Sequence, residues 1–138
     1  MTTQELLWRG NFGDSYTDRN AMSEAHLTAL TANWARLLRC LQGRPPCSIL
    51  EAGANIGLNL RALRRLTQAE LLAVEPNATA RARLLADRVT DEDKVFDGLC
   101  NAIPLVDGAA DLVFTSGVLI HIHPDELLDS CRDAGHEA

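Results

Sequence analysis

Glu51-x-Gly53-x-Asn55-x-Gly57 follows directly on the apolar run Ser48-Ile49-Leu50. The pattern suits the binding of a nucleoside-containing ligand. Glycines let the backbone turn sharply and approach a ligand closely. The segment then enters a helix, whose start presents unpaired N–H groups and the positive end of a dipole. A second apolar run, Leu71-Leu72-Ala73-Val74, ends in Glu75. A carboxylate about 20 residues beyond such a loop accepts hydrogen bonds from two ribose hydroxyls. The plainer alternative is a Gly-rich turn that only packs a helix on a strand.

The dinucleotide fingerprint is G-x-G-x-x-G, and its second glycine admits a pyrophosphate. Asn55 stands at that point. Asn tolerates the left-handed conformation better than most residues, so the turn survives, while its side chain suits a cofactor without a pyrophosphate. A nicotinamide-dependent oxidoreductase is disfavoured on the same ground.

Elements must bring these residues together. Residues from about 3 to 9 read as a short helix with Trp8 near its end, and Gly10-Asn11-Phe12-Gly13-Asp14 as a turn-rich break. From about Asp18 to Leu41 the apolar positions Ala21, Met22, Ala25, Leu27, Leu30, Trp34, Leu37, Leu38 and Leu41 predict one long helix. Gly43-Arg44-Pro45-Pro46 ends it. Strands follow at about 47–52, 70–75, 94–97 and 111–115, and helices at about 57–66, from a cap at Asn77 to Arg88, and from Pro124 to Arg132. Residues 98–109 read as a loop, and a single helical turn is expected near 118–121. Strands alternating with helices predict an α/β fold with a doubly wound parallel sheet. Ligands of such sheets bind beyond the carboxyl ends of the strands. Glu51, Glu75, Asp97 and Thr115-Ser116-Gly117 all fall at such ends.

Composition narrows the partners. The chain has 138 residues, 46% of them hydrophobic, enough for one domain with a real core. Thirteen basic against 19 acidic residues give a net charge of −6, which argues against a nucleic-acid partner. Cys40, Cys47, Cys100 and Cys131 form no C-x-x-C pair and read as reduced thiols of a cytoplasmic protein without a metal site. No apolar run has the length of a membrane span, and no basic-then-apolar leader opens the chain.

Glu51-x-Gly53-x-x-x-Gly57, with Glu75 ending the second strand, resembles the cofactor motifs of class I S-adenosylmethionine-dependent methyltransferases. Ala110-Asp111-Leu112-Val113-Phe114-Thr115-Ser116-Gly117-Val118-Leu119-Ile120-His121-Ile122 is similar to their fourth-strand segment. Trp8-x-Gly10-x-Phe12-Gly13-x-x-Tyr16-x-x-Arg19-Asn20 resembles the start of the methylases associated with pseudaminic acid biosynthesis, as does the run from Glu51 to Leu60. The resemblance implies a Rossmann-like sheet of about four strands in the order 3-2-1-4 at residues 45–138, with an N-terminal helical cap at 1–44. It lacks the family's remaining strands, which complete the order 3-2-1-4-5-7-6. The fourth strand is then an open edge, and the chain is expected either to pair with a second copy, as a homodimer covering that edge, or to be a truncated gene product.

The same resemblance implies S-adenosylmethionine as cofactor and a small-molecule acceptor, in one branch a sugar-acid precursor. Gly53, Asn55 and Gly57 would shape the loop around the cofactor's amino-acid part. Glu51 would hold its ammonium and Glu75 the ribose hydroxyls. Asn77 lines the ribose or adenine side or simply caps its helix. Asp97 and Asn101 compete for the adenine amine. Ser116 and Gly117 would lie under the sulfonium. His121 is read as a general base or as a residue that orients its loop. His121-x-His123 without a third ligand is a poor metal pair. Trp8, Phe12 and Tyr16 form a lid or tack the N-terminal segment to the core. Arg19 and Asn20 reach a carboxylate or form a solvated pair. Arg61, Arg64, Arg65, Arg81, Arg83 and Arg88 read as solvated helix faces rather than an anion patch, and Trp34 as core. A non-catalytic cofactor-binding remnant or partner subunit is the competing reading.

Overall fold

Four short apolar runs become the strands β1 (Ser48–Ala52), β2 (Glu70–Val74), β3 (Val95–Phe96) and β4 (Leu112–Phe114) of one sheet. The computed structural model describes residues 1–20, 22–41 and 43–137. The strands are all parallel, in the order β3-β2-β1-β4. Leu50 pairs with Leu72 on one side and Val113 on the other, and Val74 pairs with Phe96. This is the α/β, Rossmann-like architecture that the sequence predicts.

Alternation along the strands divides the core in two. Ile49, Leu71 and Ala73 point to one face, where Leu27, Trp34, Leu60, Leu63 and Leu84 cover them. Those residues come from helices α3 (Glu24–Cys40), α4 (Leu58–Arg64) and α5 (Ala78–Ala86). Leu50, Ala52, Leu72 and Val74 point to the other face, packed by Cys100, Ile103 and Ala110 from the long loop. Helix α6 (Pro124–Glu137) lies against β4.

The N-terminal region departs from the predicted pattern. Helix α1 (Thr3–Arg9) opens with a reciprocal capping box between Thr2 and Glu5. The expected break at 10–14 is instead the start of a second helix, α2 (Asn11–Arg19), with Gly10 as the shared boundary residue. The single helix expected from Asp18 to Leu41 is therefore two. Ser23 caps α3 by accepting from the His26 N–H at 3.1 Å, and a serine cap outweighs the continuity of the apolar pattern. Ala21, one of the positions in that pattern, lies outside the described residues. The other predicted elements appear with ends shifted by a few residues. Helix α5 stops at Ala86 rather than Arg88, where Arg88 turns left-handed at φ 52°, and α6 runs past Arg132 to Glu137.

Candidate functional site

The Gly-rich loop closes over the end of β2. Gly53 and Ala54 both donate to the Val74 carbonyl, at 2.8 and 3.1 Å. Gly53, Asn55 and Gly57 take positive φ, at 78°, 48° and 74°. The alternate residues thus turn left-handed, two of them glycines. A Cβ on Gly53 would sit 2.3 Å from Val118 Cγ2, so the loop also rests on the turn after β4. Glu75 fixes the loop from the neighbouring strand. Its Oε2 accepts from the Asn55 N–H at 2.7 Å and its Oε1 from the Asn77 N–H at 2.8 Å. Burial raises the pKa of Glu75, opposed by those two N–H groups and by Arg81 and Arg9.

Glu51 is the most buried carboxyl group among the described residues, 2% exposed. Asn59 donates to its Oε1 at 2.8 Å, and Asn59 in turn accepts from the Trp34 indole N–H at 3.0 Å. Glu51 Oε2 has no partner, and neither has Asn55 Oδ1. Burial pushes the Glu51 carboxyl up to about 8; the Asn59 hydrogen bond opposes this and the charge of Glu75 adds to it. Buried acceptors left unpaired cost about 1–3 kcal/mol each, and two of them at one loop mark a place where a ligand supplies the missing donors. Asn59→Ala would leave Trp34 and both Glu51 oxygens unpaired. We expect it to cost about 2 kcal/mol in urea unfolding and to weaken binding at the loop, whereas a loss within error would mean that the relay carries no weight.

The remaining wall comes from α1 and α2. Trp8 meets the rings of Tyr16 and His121 edge-on, at centroid separations of 5.2 and 4.8 Å. Asn77 Nδ2 donates to the Trp8 carbonyl at 3.1 Å and to Asp14 Oδ1 at 3.0 Å, while its Oδ1 caps α5 by accepting from Ala80 N–H at 2.8 Å. Hydrogen bonds from Asn77 and Thr79 hold the Asp14 carboxyl below its ordinary range. Asn55 Nδ2 reaches Thr17 Oγ1 at 3.1 Å. Together these surfaces enclose a cavity of about 270 Å³ at the carboxyl ends of the strands.

A family model described as a methyltransferase domain matches residues 50–134. The chain belongs to that methyltransferase family. Its fold recurs in a proposed S-adenosyl-L-methionine-dependent methyltransferase from Methanococcus maripaludis, with 15% identity, a TM-score of 0.71 and coverage of 91% of this chain and 57% of that one. The plantazolicin methyltransferase BamL, solved with a triazolic desmethyl-plantazolicin analogue and S-adenosylhomocysteine, gives 16% identity and a TM-score of 0.66 over 95% of this chain and 51% of that one. YcgJ from Bacillus subtilis gives 15% and 0.60 over 83% and 46%. The methyltransferase chain thus spans about half the length of these structures. Comparison with curated protein sequences gives no match.

Most residues singled out in the methyltransferase sequence converge on the cavity. Glu51, Gly53, Asn55, Glu75, Asn77 and Asn101 line it, as do Ser116, Gly117 and His121, with Trp8, Tyr16 and Asn20 on the N-terminal side. Three do not. Gly57 backs onto Leu84 and Val89, so it serves helix packing. Asp97 is clamped by Arg9 at 2.6 Å and Arg81 at 3.2 Å, away from the cavity, which leaves Asn101 as the lining residue of that pair. Arg19 lies exposed, 5.9 Å from the Tyr16 ring centroid. Among the described residues no three His, Cys, Asp or Glu side chains converge as a metal ion requires. Cys100 lines the cavity as an inert thiol, pushed up to about 11 by burial. The sequence reading missed Thr17 and Asn59 and placed Trp34 only in the core. The position of Asn59, second residue of the helix behind the loop and on the side of Glu51, was the one available signal.

Proposed function

We propose that this methyltransferase chain binds S-adenosylmethionine at the Gly53–Gly57 loop and directs its methyl group to a small-molecule acceptor. The observation that carries the reading is the pair of buried, unpartnered acceptors, Glu51 Oε2 and Asn55 Oδ1, beside that loop. They fit a cofactor whose amino-acid part brings an ammonium group. Each Glu75 oxygen accepts one backbone N–H and keeps a lone pair for a ribose hydroxyl. Asn101 is assigned to the adenine side, and Ser116 and Gly117 to the sulfonium side. Asn77, whose amide is spent on Trp8, Asp14 and Ala80, acts as a latch more than a direct ligand.

When bound, the cofactor supplies a methyl on a sulfonium, which an acceptor lone pair takes up as the carbon–sulfur bond breaks and its electron pair returns to sulfur. The protein's part is alignment and exclusion of water. His121, held edge-on by Trp8, is assigned to take the proton that a hydroxyl acceptor gives up. Calorimetry with S-adenosylmethionine and S-adenosylhomocysteine, with Glu75→Ala alongside, tests the reading. Saturable binding weakened at least about tenfold in the variant is expected; a folded chain that binds neither compound rules it out. Release of S-adenosylhomocysteine with any acceptor separates an enzyme from a non-catalytic binder.

Finer assignments belong to the same proposal. We read 1–44 as a cap and 45–138 as the cofactor-binding domain. The sugar-acid branch rests on the signature from Trp8 to Asn20 and on the run from Glu51 to Leu60. Among the described residues no helix is long and apolar enough to cross a membrane, and four free thiols accord with a cytoplasmic setting. Among the described residues β4 is an edge strand, and a homodimer covering that edge is the partner arrangement we favour; sedimentation checks it, and a monomer at every concentration removes it.

A further inference from the structure

Carboxyl groups face the cavity, and among the described residues no permanently cationic side chain, lysine or arginine, does. Glu5, Glu51, Glu75 and Glu126 line it, with His26 and His121. The arginines nearby are committed elsewhere. Arg9 binds Asp97 and the Pro76 carbonyl, at 2.6 and 3.3 Å. Arg81 binds Asp97 and the Glu75 carbonyl, at 3.2 and 2.7 Å. Arg19 holds its guanidinium over the Tyr16 ring, 5.9 Å from the centroid, from an exposed position outside the lining.

The four carboxylates divide by occupation. Glu75 is held by two backbone N–H groups. Glu5 Oε2 accepts from the Thr2 N–H at 2.7 Å and lies 3.8 Å from the terminal ammonium. Glu51 Oε2 is buried and without a partner, and the reading above assigns it to the cofactor. Glu126, half-buried on α6, is different. Its carboxylate makes no hydrogen bond or ion pair with any described residue, yet it faces the same cavity. An anionic ligand here would lose hydration beside like charge and meet no cation in return, which disfavours it strongly. A protonated amine would find a counter-ion already in place, and a neutral hydroxyl compound would be tolerated.

We infer that the acceptor subsite selects an amine-bearing or neutral small molecule over an anionic one, with Glu126 as the counter-ion of the amine. The inference rests on the methyltransferase reading, and it turns the sugar branch away from sugar acids and towards amino or neutral sugars. The test uses the chain loaded with S-adenosylhomocysteine, so that no turnover intervenes. Saturation-transfer NMR would compare two matched sets: glucosamine, glucose and glucuronate, and benzylamine, benzyl alcohol and benzoate. Within a set the amine is expected to bind about tenfold tighter than the carboxylate, with the neutral compound between them. Glu126→Gln, which disturbs no contact seen here, should abolish the difference. Carboxylates binding as well as amines, amines failing to bind in both sets, or an unchanged preference in Glu126→Gln would each overturn the inference. Carboxylate binding that disappears in Arg19→Ala would show that this arginine swings in and reverses the selection. A chain that takes up no S-adenosylhomocysteine in calorimetry would instead remove the underlying methyltransferase reading, so the two failures are distinct.

Discussion

Gly13→Ala releases the first two helices from the cavity, an expected result of severe and local overlap. A Cβ on Gly13 would lie 1.9 Å from the Trp8 carbonyl oxygen and 2.8 Å from both its carbon and Asn77 Nδ2. The first two atoms are backbone, so no rotamer change relieves the overlap, and α1 and α2 must separate. That movement breaks the hydrogen bond from Asn77 to Trp8, and Asn77 is also the cap of α5. Overpacking costs about 1–3 kcal/mol and a disturbed cap about 1 kcal/mol more. A loss of roughly 2–4 kcal/mol in urea unfolding is therefore expected, with faster proteolysis before residue 20 and weaker cofactor binding. Gly10→Ala is the control, because its Cβ would meet only the Leu6 carbonyl oxygen, at 3.1 Å. If both variants kept wild-type stability, the tight seat of α2 would be disproved.

The second large effect concerns Glu51 and pH. Its carboxyl is raised from 4.5 to about 8, with burial the first cause. The native state therefore holds a proton that the unfolded chain gives up above pH ~4.5. Stability is fullest below that value, falls as pH climbs towards 8 and levels off beyond it, a total change of several kcal/mol. The raised pKa of Glu75 acts in the same direction. The contribution of Glu51 is thus the difference between wild type and Glu51→Gln, whose stability should fall much less over the range. Binding a cation beside Glu51 favours its charged form. Cofactor binding near pH 7 should then release a proton, visible as a dependence of calorimetric heat on the buffer's ionisation enthalpy. Glu51→Gln should bind more weakly and release none. Identical pH–stability curves for the two proteins would refute the assignment.

What could be read ahead of the structure was local. Glu51, Gly53, Asn55 and Glu75 follow from short-range spacing, because a turn needs positive φ at fixed offsets and a strand end points where its register dictates. The order β3-β2-β1-β4 followed from the family resemblance together with alternating strands and helices. The features that were missed depend on distance along the chain. Trp34 meets Asn59 across 25 residues, Asn55 meets Thr17 across 38 and Asn77 meets Trp8 across 69. Nothing periodic in a sequence encodes such pairs. Asp97 has the right position at a strand end, but Arg9, 88 residues earlier, claims it. The helix break before α3 was hidden because apolar spacing continued through it while the Ser23 cap was overlooked.

The reach from Arg9 to Asp97 also sets an order of events in the cell. The ribosome delivers α1 and α2 first, yet Asn77 and Asp97, to which they dock, are made much later. At about 5–20 residues per second, the 88 residues between Arg9 and Asp97 take roughly 4–18 seconds to synthesise. Throughout that interval Trp8 and Tyr16 have no wall to rest against. The cavity therefore stays open until Asp97 and the lining residues beyond it are made, and side chains synthesised long before them are the ones that close it.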